Sequence, residues 1–173
     1  MRLQHFVLMV ALVASTASVN NINAADPAEI LQRRIGTWIT ETTSRKAVWT
    51  PKQMTTKGEE TIRWTLDKHV QVTEGWSKPD DNKSTGMMVY DKQAKQFRSW
   101  WFNNKGVFPL GETIGKWDAK NETLHFSTDL GNGNKQDLKL VFTNNDRFDW
   151  TMIIRNQDGR LMMDVFGHTT RKK

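Results

Sequence analysis

The feature that most constrains this chain is a succession of short β-rich runs joined by short polar links, clearest over residues 86–118. Apolar runs at residues 87–90 and 97–102 flank a five-residue polar link, and a four-residue link at 103–106 leads into a third run. Links of that length between runs rich in Val, Ile, Phe and Trp are typical of β-hairpins. This stretch therefore predicts three antiparallel strands in a meander.

The same pattern continues to the end of the chain. Residues 61–66, 138–142 and 148–154 alternate apolar and polar side chains, which is the period of a half-buried strand. Residues 131–134, Gly-Asn-Gly-Asn, form the strongest tight-turn signal. About ten such strands fit either a sandwich or an up-and-down barrel, and the barrel is favoured because closure removes the two exposed edges of an open meander. The predicted fold is all-β, an up-and-down barrel of about ten antiparallel strands.

One short helix is predicted ahead of the strands. Asp26 is a suitable N-cap, Pro27 takes the first helical position and Glu29 the third, while Gly36 can end the helix in the left-handed conformation. Ile30, Leu31 and Ile35 would form its apolar stripe.

Residues 1–24 are predicted to be a secretory signal peptide, followed by a single domain over residues 25–173. A basic start, an apolar run at 6–14 and small residues before Ala24 fit such a signal. The run is short for a bilayer span, which needs about 20 residues, so an uncleaved anchor is the weaker alternative. No later stretch reaches that length. We therefore expect an exported protein, periplasmic or extracellular, with no membrane span after cleavage.

The amino-acid composition limits the kinds of binding partner that the protein is expected to have. The 25 basic and 19 acidic side chains alternate in sign along the chain, which predicts a solvated mixed surface and no nucleic-acid partner. The absence of cysteine excludes disulfides and thiolate metal sites. The eight tryptophans, against one tyrosine, predict large rings in the core and an aromatic-lined ligand cavity. The oligomeric state stays open.

The tryptophans on alternating strands, together with an internal arginine as counter-charge, predict binding of a small apolar or amphipathic molecule inside the barrel. The predicted lining residues are Trp64, Trp76, Trp101, Trp150, Arg63 and Arg98. A barrel filled by its own side chains, acting through its surface, is the structural alternative. No catalytic motif is present, so an enzymatic role is the less favoured expectation.

Two short motifs at opposite ends of the strand region resemble the signature of a known group of proteins. Gly36-Thr37-Trp38 opens the first predicted strand, and Thr170-Arg171 closes the last. This resembles the signature of lipocalins, fatty-acid-binding proteins and other calycins. The resemblance implies that Trp38 packs beside Arg171 and closes the barrel base, a structural role.

A closer resemblance covers nearly the whole chain after the signal. Its motifs are Trp-Thr-Leu-Asp at 64–67, Val-Tyr-Asp at 89–91, Phe-Arg-Ser-Trp-Trp-Phe at 97–102, Gly-Lys-Trp-Asp at 115–118 and Thr-Thr-Arg-Lys-Lys at 169–173. They resemble a secreted bacterial lipocalin-like family of unknown function. That resemblance implies the fold and export, and it implies no activity.

The histidines supply the remaining functional alternative. His69, His125 and His168 are isolated, and none belongs to a metal-binding pattern, so no metal site or cofactor is predicted. Nitrobindins, related haem-binding barrels, take their iron ligand from a histidine near the chain end, and by that resemblance His168 is a haem-ligand candidate for chemistry on reactive nitrogen or oxygen species. Residues 39–42 lack the glycine-rich run of those proteins. Strand alternation also predicts that His168 points to solvent.

Overall fold

The computed structural model describes residues 26–106 and 111–173, which form one short helix and ten strands. The elements are α1 (Pro27–Gln32), β1 (Gly36–Ser44), β2 (Met54–Thr65), β3 (Val70–Lys78), β4 (Asn82–Asp91), β5 (Gln96–Asn103), β6 (Thr113–Asp118), β7 (Thr123–Gly131), β8 (Asn134–Asn144), β9 (Arg147–Arg155) and β10 (Leu161–Arg171). The predicted signal at 1–24, and the start of the third run of the meander at 107–110, lie outside the described residues. No helix in the described part is long and apolar enough to cross a membrane.

The ten strands form a closed antiparallel barrel, which confirms the predicted fold class. Each strand pairs with its neighbours in the chain, and β1 pairs with β10 to complete the circle. Closure leaves the first and last strands without a free edge, as the edge argument requires. It also places Trp38 directly opposite Arg171 in the strand register.

Two segments differ from what the sequence predicts. The β-branched residues at 37–49 predict a first strand over that range, but the strand ends at Ser44, although the chain beyond it still follows β10: the Arg45 and Trp49 amides donate to the carbonyls of Asp164 and Met162. Residues 79–83, Pro-Asp-Asp-Asn-Lys, predict a loop, and the loop is shorter than that because β4 already begins at Asn82. A tight turn there suffices to connect β3 to β4.

The helix α1 begins as the predicted N-cap indicates, but it ends at Gln32 with Arg33 as a right-handed C-cap, so the prediction that Gly36 ends it was wrong, and Gly36 opens β1 instead. The Asp26 carboxylate accepts a hydrogen bond from the Ala28 amide at 2.9 Å, which satisfies one of the free N–H groups of the first turn. Gly36 follows the helix with φ +133°, a conformation that L side chains rarely adopt. A Cβ there would also lie 2.5 Å from Nη1 of Arg171, so the position requires glycine on both counts.

The hydrophobic core fills the end of the barrel that α1 closes, which we call the base. Its buried members come from the helix and from seven strands: Ile30, Leu31, Trp38, Ile62, Met88, Phe97, Leu124, Phe126, Leu140, Phe142 and Phe148. Aromatic pairs join several of them, including Trp38 with Phe148 at a centroid distance of 5.0 Å. Burial of these side chains is the main favourable term in folding.

Candidate ligand site in the barrel interior

The base is held shut by Trp38 and Arg171. The indole of Trp38 is 1% exposed, and the Arg171 guanidinium carbon lies 4.1 Å from the centroid of its ring. Arg171 also donates hydrogen bonds to the carbonyls of Arg33 at 3.1 Å and Ile35 at 2.6 Å, at the end of the helix. The structure thus brings together the two residues that the calycin resemblance paired, and it ties both to α1.

Three of the predicted lining tryptophans face the interior. Trp64 lies near the base and donates from Nε1 to Oε1 of Gln32 at 2.8 Å. Trp150 lies against Gly167, its cross-strand partner, where no side chain intervenes. Trp101 lies over Gly86 and belongs to the half of the barrel away from α1. The three rings are therefore distributed from the base towards the far end.

The other three predicted lining residues, Trp76, Arg63 and Arg98, lie on the outer face, which corrects the expectation that they line the interior. Strand alternation decides each case, since the buried residues of β2, β3 and β5 lie on the opposite face from these three. Trp76 is 50% exposed. Arg63 approaches Glu74 at 3.6 Å, and Arg98 binds Asp91 and Glu112 at 2.9 and 2.8 Å. Neither arginine can serve as an internal counter-charge from this position.

His168 also lies on the outer face, as strand alternation predicts. Its Nδ1 is 2.9 Å from Oδ1 of Asp149, and its side chain is 52% exposed. Its neighbours Gly167 and Thr169 are the buried ones. A haem held inside the barrel would not meet this imidazole. Among residues 26–106 and 111–173, no group of three or more His, Asp or Glu side chains is placed to hold a metal ion.

The internal arginine is Arg34, which the sequence reasoning missed. Its Nη1 donates to Oε1 of Gln71 at 3.1 Å and contacts the sulfur of Met88 at 3.2 Å. Gln71 is itself buried and donates to the carbonyl of Leu31. Burial lowers the pKa of Arg34, and the nearby carboxylate of Glu60 opposes that shift. Because Arg34 follows Ile30 by four residues and Leu31 by three, its place on the apolar face of the helix was a usable signal.

Glu60 is the second interior charge that the sequence reasoning missed. It alternates with Gly58 and Ile62 on the inner face of β2 and is in register with Trp38 and Gly75. Burial raises the pKa of Glu60, and attraction to Arg34 counteracts part of that rise. No residue of the described chain forms a salt bridge or hydrogen bond with its carboxylate. The side chain is partly exposed although it faces inward, so the carboxylate remains in contact with solvent.

The interior wall formed by β2 to β6 in the half away from α1 carries small side chains. We call it the small-residue wall, and it consists of Gly58, Gly75, Ser84, Gly86, Ser99 and Thr113. Trp101 projects beside it and is 45% exposed despite facing inward. Further polar atoms of the facing strands, Oγ1 of Thr128 and Oε1 of Gln136, are buried without a hydrogen-bond partner in the described residues.

A closed ten-stranded meander with a helix packed into its base and a guanidinium stacked on the first-strand tryptophan defines a calycin-like barrel protein. Over residues 24–171 the chain matches the family described as "Protein of unknown function (DUF1579)". The chain belongs to this family, which confirms the predicted membership of a calycin-like family of unknown function. No curated protein matches the chain.

Two solved structures share the barrel at low sequence identity. The S-type phycobiliprotein lyase CPES from Guillardia theta superposes with a TM-score of 0.57 at 16% identity, covering 84% of this chain and 92% of its own. Rv2717c from M. tuberculosis superposes with a TM-score of 0.61 at 10% identity, covering 86% of this chain and 99% of its own. Similarity at this level is a similarity of fold.

Proposed function

We propose that the protein binds a small apolar or amphipathic molecule inside the half of the barrel away from α1. The observation that carries the proposal is Trp101, an inward-facing indole that remains 45% exposed beside the small-residue wall. Barrels of eight or more strands can enclose one small ligand, and ligand sites combine apolar walls with a few polar groups. The superposition with the phycobiliprotein lyase supports the barrel fold on which this proposal rests.

The wall opposite the small residues supports the same proposal. The strands β8, β9 and β10 present Leu138, Met152, Ile154 and Val165 towards the interior. An apolar ligand would contact these side chains on one side and lie against glycine and serine on the other. The hydrophobic gain is about 25 cal/mol per Å² of apolar surface removed from water.

Export remains part of the proposal. A ligand-binding barrel with the predicted signal at 1–24 would act in the periplasm or outside the cell. N-terminal sequencing of the protein recovered from an export-competent host tests this: a mature start near residue 25 or 26 supports export, and an intact Met1 in the cytosolic fraction contradicts it.

The binding test compares two tryptophans of similar exposure on opposite faces. Fluorescence of the purified protein is titrated with fatty acids, retinoids and haem, in the wild type, Trp101→Ala and Trp76→Ala. Trp101 is 45% exposed on the inner face, and Trp76 is 50% exposed on the outer face. Trp76→Ala is therefore the control, because it removes an indole of similar exposure from outside the proposed site. We expect Trp101→Ala to weaken binding about tenfold or more and Trp76→Ala to leave it unchanged. Absence of quenching by every ligand, or equal effects of the two substitutions, would refute the proposal.

A further inference from the structure

The carboxylate of Glu60 is an inward-facing charged group at the proposed site. It lies on the inner face of β2, and among the described residues the opposite charge near it is Arg34, which acts through space and forms no salt bridge with it. Arg34 is held instead on the helix side by Gln71 and Met88. Among the described residues, therefore, no donor satisfies the Glu60 oxygens. An inward-facing carboxylate that remains partly exposed and that no protein group contacts is accessible to a ligand in the interior.

The strand register connects Glu60 to Trp101 across small side chains. Glu60 is opposite Gly75 on β3, and Gly75 is opposite Ser84 on β4. Ser84 is opposite Asn103 on β5, two residues beyond Trp101 on the same face. Neighbouring strands are about 4.8 Å apart, so the path from β2 to β5 spans about 14 Å. A molecule lying along it would have its polar end at Glu60 and its apolar end at Trp101.

The charges of Glu60 and Arg34 determine which head group the ligand can carry. Glu60 and Arg34 together carry no net charge, so a charged head group would leave one charge uncompensated in the interior. A carboxylate head group would in addition face the Glu60 oxygens directly. A neutral group with an N–H or O–H satisfies the carboxylate without adding charge, and hydrogen bonds to an ionised acceptor are among the stronger ones.

We infer that Glu60 is the specificity-determining residue of this site, and that the ligand is a neutral amphiphile whose head group donates a hydrogen bond, such as a primary amide or an alcohol. This inference rests on the proposed function. It predicts discrimination against two close relatives of such a ligand: the ester, which has no donor, and the fatty acid anion, which brings a second negative charge.

The test compares three ligands with the same alkyl chain. Octanamide, methyl octanoate and octanoate are measured at neutral pH by displacement of N-phenyl-1-naphthylamine and by tryptophan quenching. We expect octanamide to bind about tenfold more tightly than either of the others in the wild type. In Glu60→Gln the preference for octanamide over methyl octanoate should fall to about twofold, and octanoate should gain affinity, because the carboxamide is uncharged and can donate to an ester or a carboxylate oxygen.

Glu74→Gln is the matched control, since Glu74 lies on the outer face of β3 with its side chain 58% exposed. It should retain the wild-type preference for octanamide. Equal affinity for the three compounds, a preference for octanoate, or an unchanged preference in Glu60→Gln would overturn the inference and leave the proposed function standing. If the fluorescent probe and all three compounds fail to bind the wild type, the proposed function is refuted together with the inference.

Discussion

Replacing Arg171 with lysine tests how the barrel is closed. The guanidinium stacks on Trp38 and donates to the carbonyls of Arg33, Ile35 and Asn145 at 3.1, 2.6 and 2.7 Å. These carbonyls belong to the chain between α1 and β1 and to the hairpin between β8 and β9. One planar group therefore joins the helix, the first strand and a hairpin to the last strand. A lysine ammonium keeps the charge but has neither the planar fork nor the stacking surface.

The expected cost follows from these contacts. A lysine can retain only some of the three hydrogen bonds that Arg171 donates to backbone carbonyls. We expect two of them to be lost, at a cost of about 1 kcal/mol each. Loss of the stacking on Trp38 adds about 0.5–2 kcal/mol. The ion pair with Asp146 contributes little to the difference, because Asp146 is 67% exposed and lysine keeps the charge. We therefore expect Arg171→Lys to lower the free energy of unfolding by about 2–4 kcal/mol.

Urea unfolding followed by tryptophan fluorescence measures this loss. Arg160→Lys is the matched control, since Arg160 is exposed just before β10, and it should change stability by less than about 0.5 kcal/mol. Trp38→Ala, which removes a side chain only 1% exposed, should cost about 3–5 kcal/mol. If the urea midpoint of Arg171→Lys equals that of Arg160→Lys, the reasoning that the guanidinium fork closes the base is refuted.

Three further expectations concern the helix, the interior and the carboxylate. Because burial raises the pKa of Glu60, its contribution to stability is present at low pH and is lost as pH rises through that raised pKa. The midpoint of Glu60→Gln relative to wild type should thus rise as pH increases above about 4, whereas parallel pH profiles would contradict the assignment. In Gly167→Ala the new Cβ would contact Nε1 of Trp150, so a urea titration should show a loss of about 1–3 kcal/mol, and wild-type stability would show that the ring is free to move. Asp26→Ala removes the N-cap and should cost about 1 kcal/mol in the same titration; no loss would mean that α1 contributes little to the fold.

The fold was predictable because its determinants are local. Hairpin links, alternation and the Asp26 cap each act over a few residues, and closure followed from the cost of free edges. The pairing of Trp38 with Arg171 came from resemblance instead, since the two residues are far apart in the chain and no local pattern joins them. Strand ends were less certain, because Arg45 and Trp49 bond to β10 without extending β1.

The side of the barrel that each residue faces was harder to predict. Tryptophan content indicated aromatic lining, yet Trp76 lies outside, because the outer face of this barrel also carries large apolar side chains such as Met87 and Phe102. Composition cannot separate two faces that are both apolar. The positive charge of Arg63 and Arg98 suits a ligand carboxylate, but the strand phase set by Ile62 and Phe97 places both arginines outside. The same phase places Glu60 on the inner face.

Two inward-facing groups are not explained by packing alone. Trp101 stays 45% exposed although it points inward, and the partly exposed carboxylate of Glu60 has no hydrogen-bond or salt-bridge partner in the described residues. Arg171 and Gln71, in contrast, donate hydrogen bonds to backbone carbonyls beside α1. An apolar residue at position 60 would avoid the cost of removing a carboxylate from water, so folding alone does not account for this choice. A ligand that lies between Trp101 and Glu60 and donates to the carboxylate would account for both features.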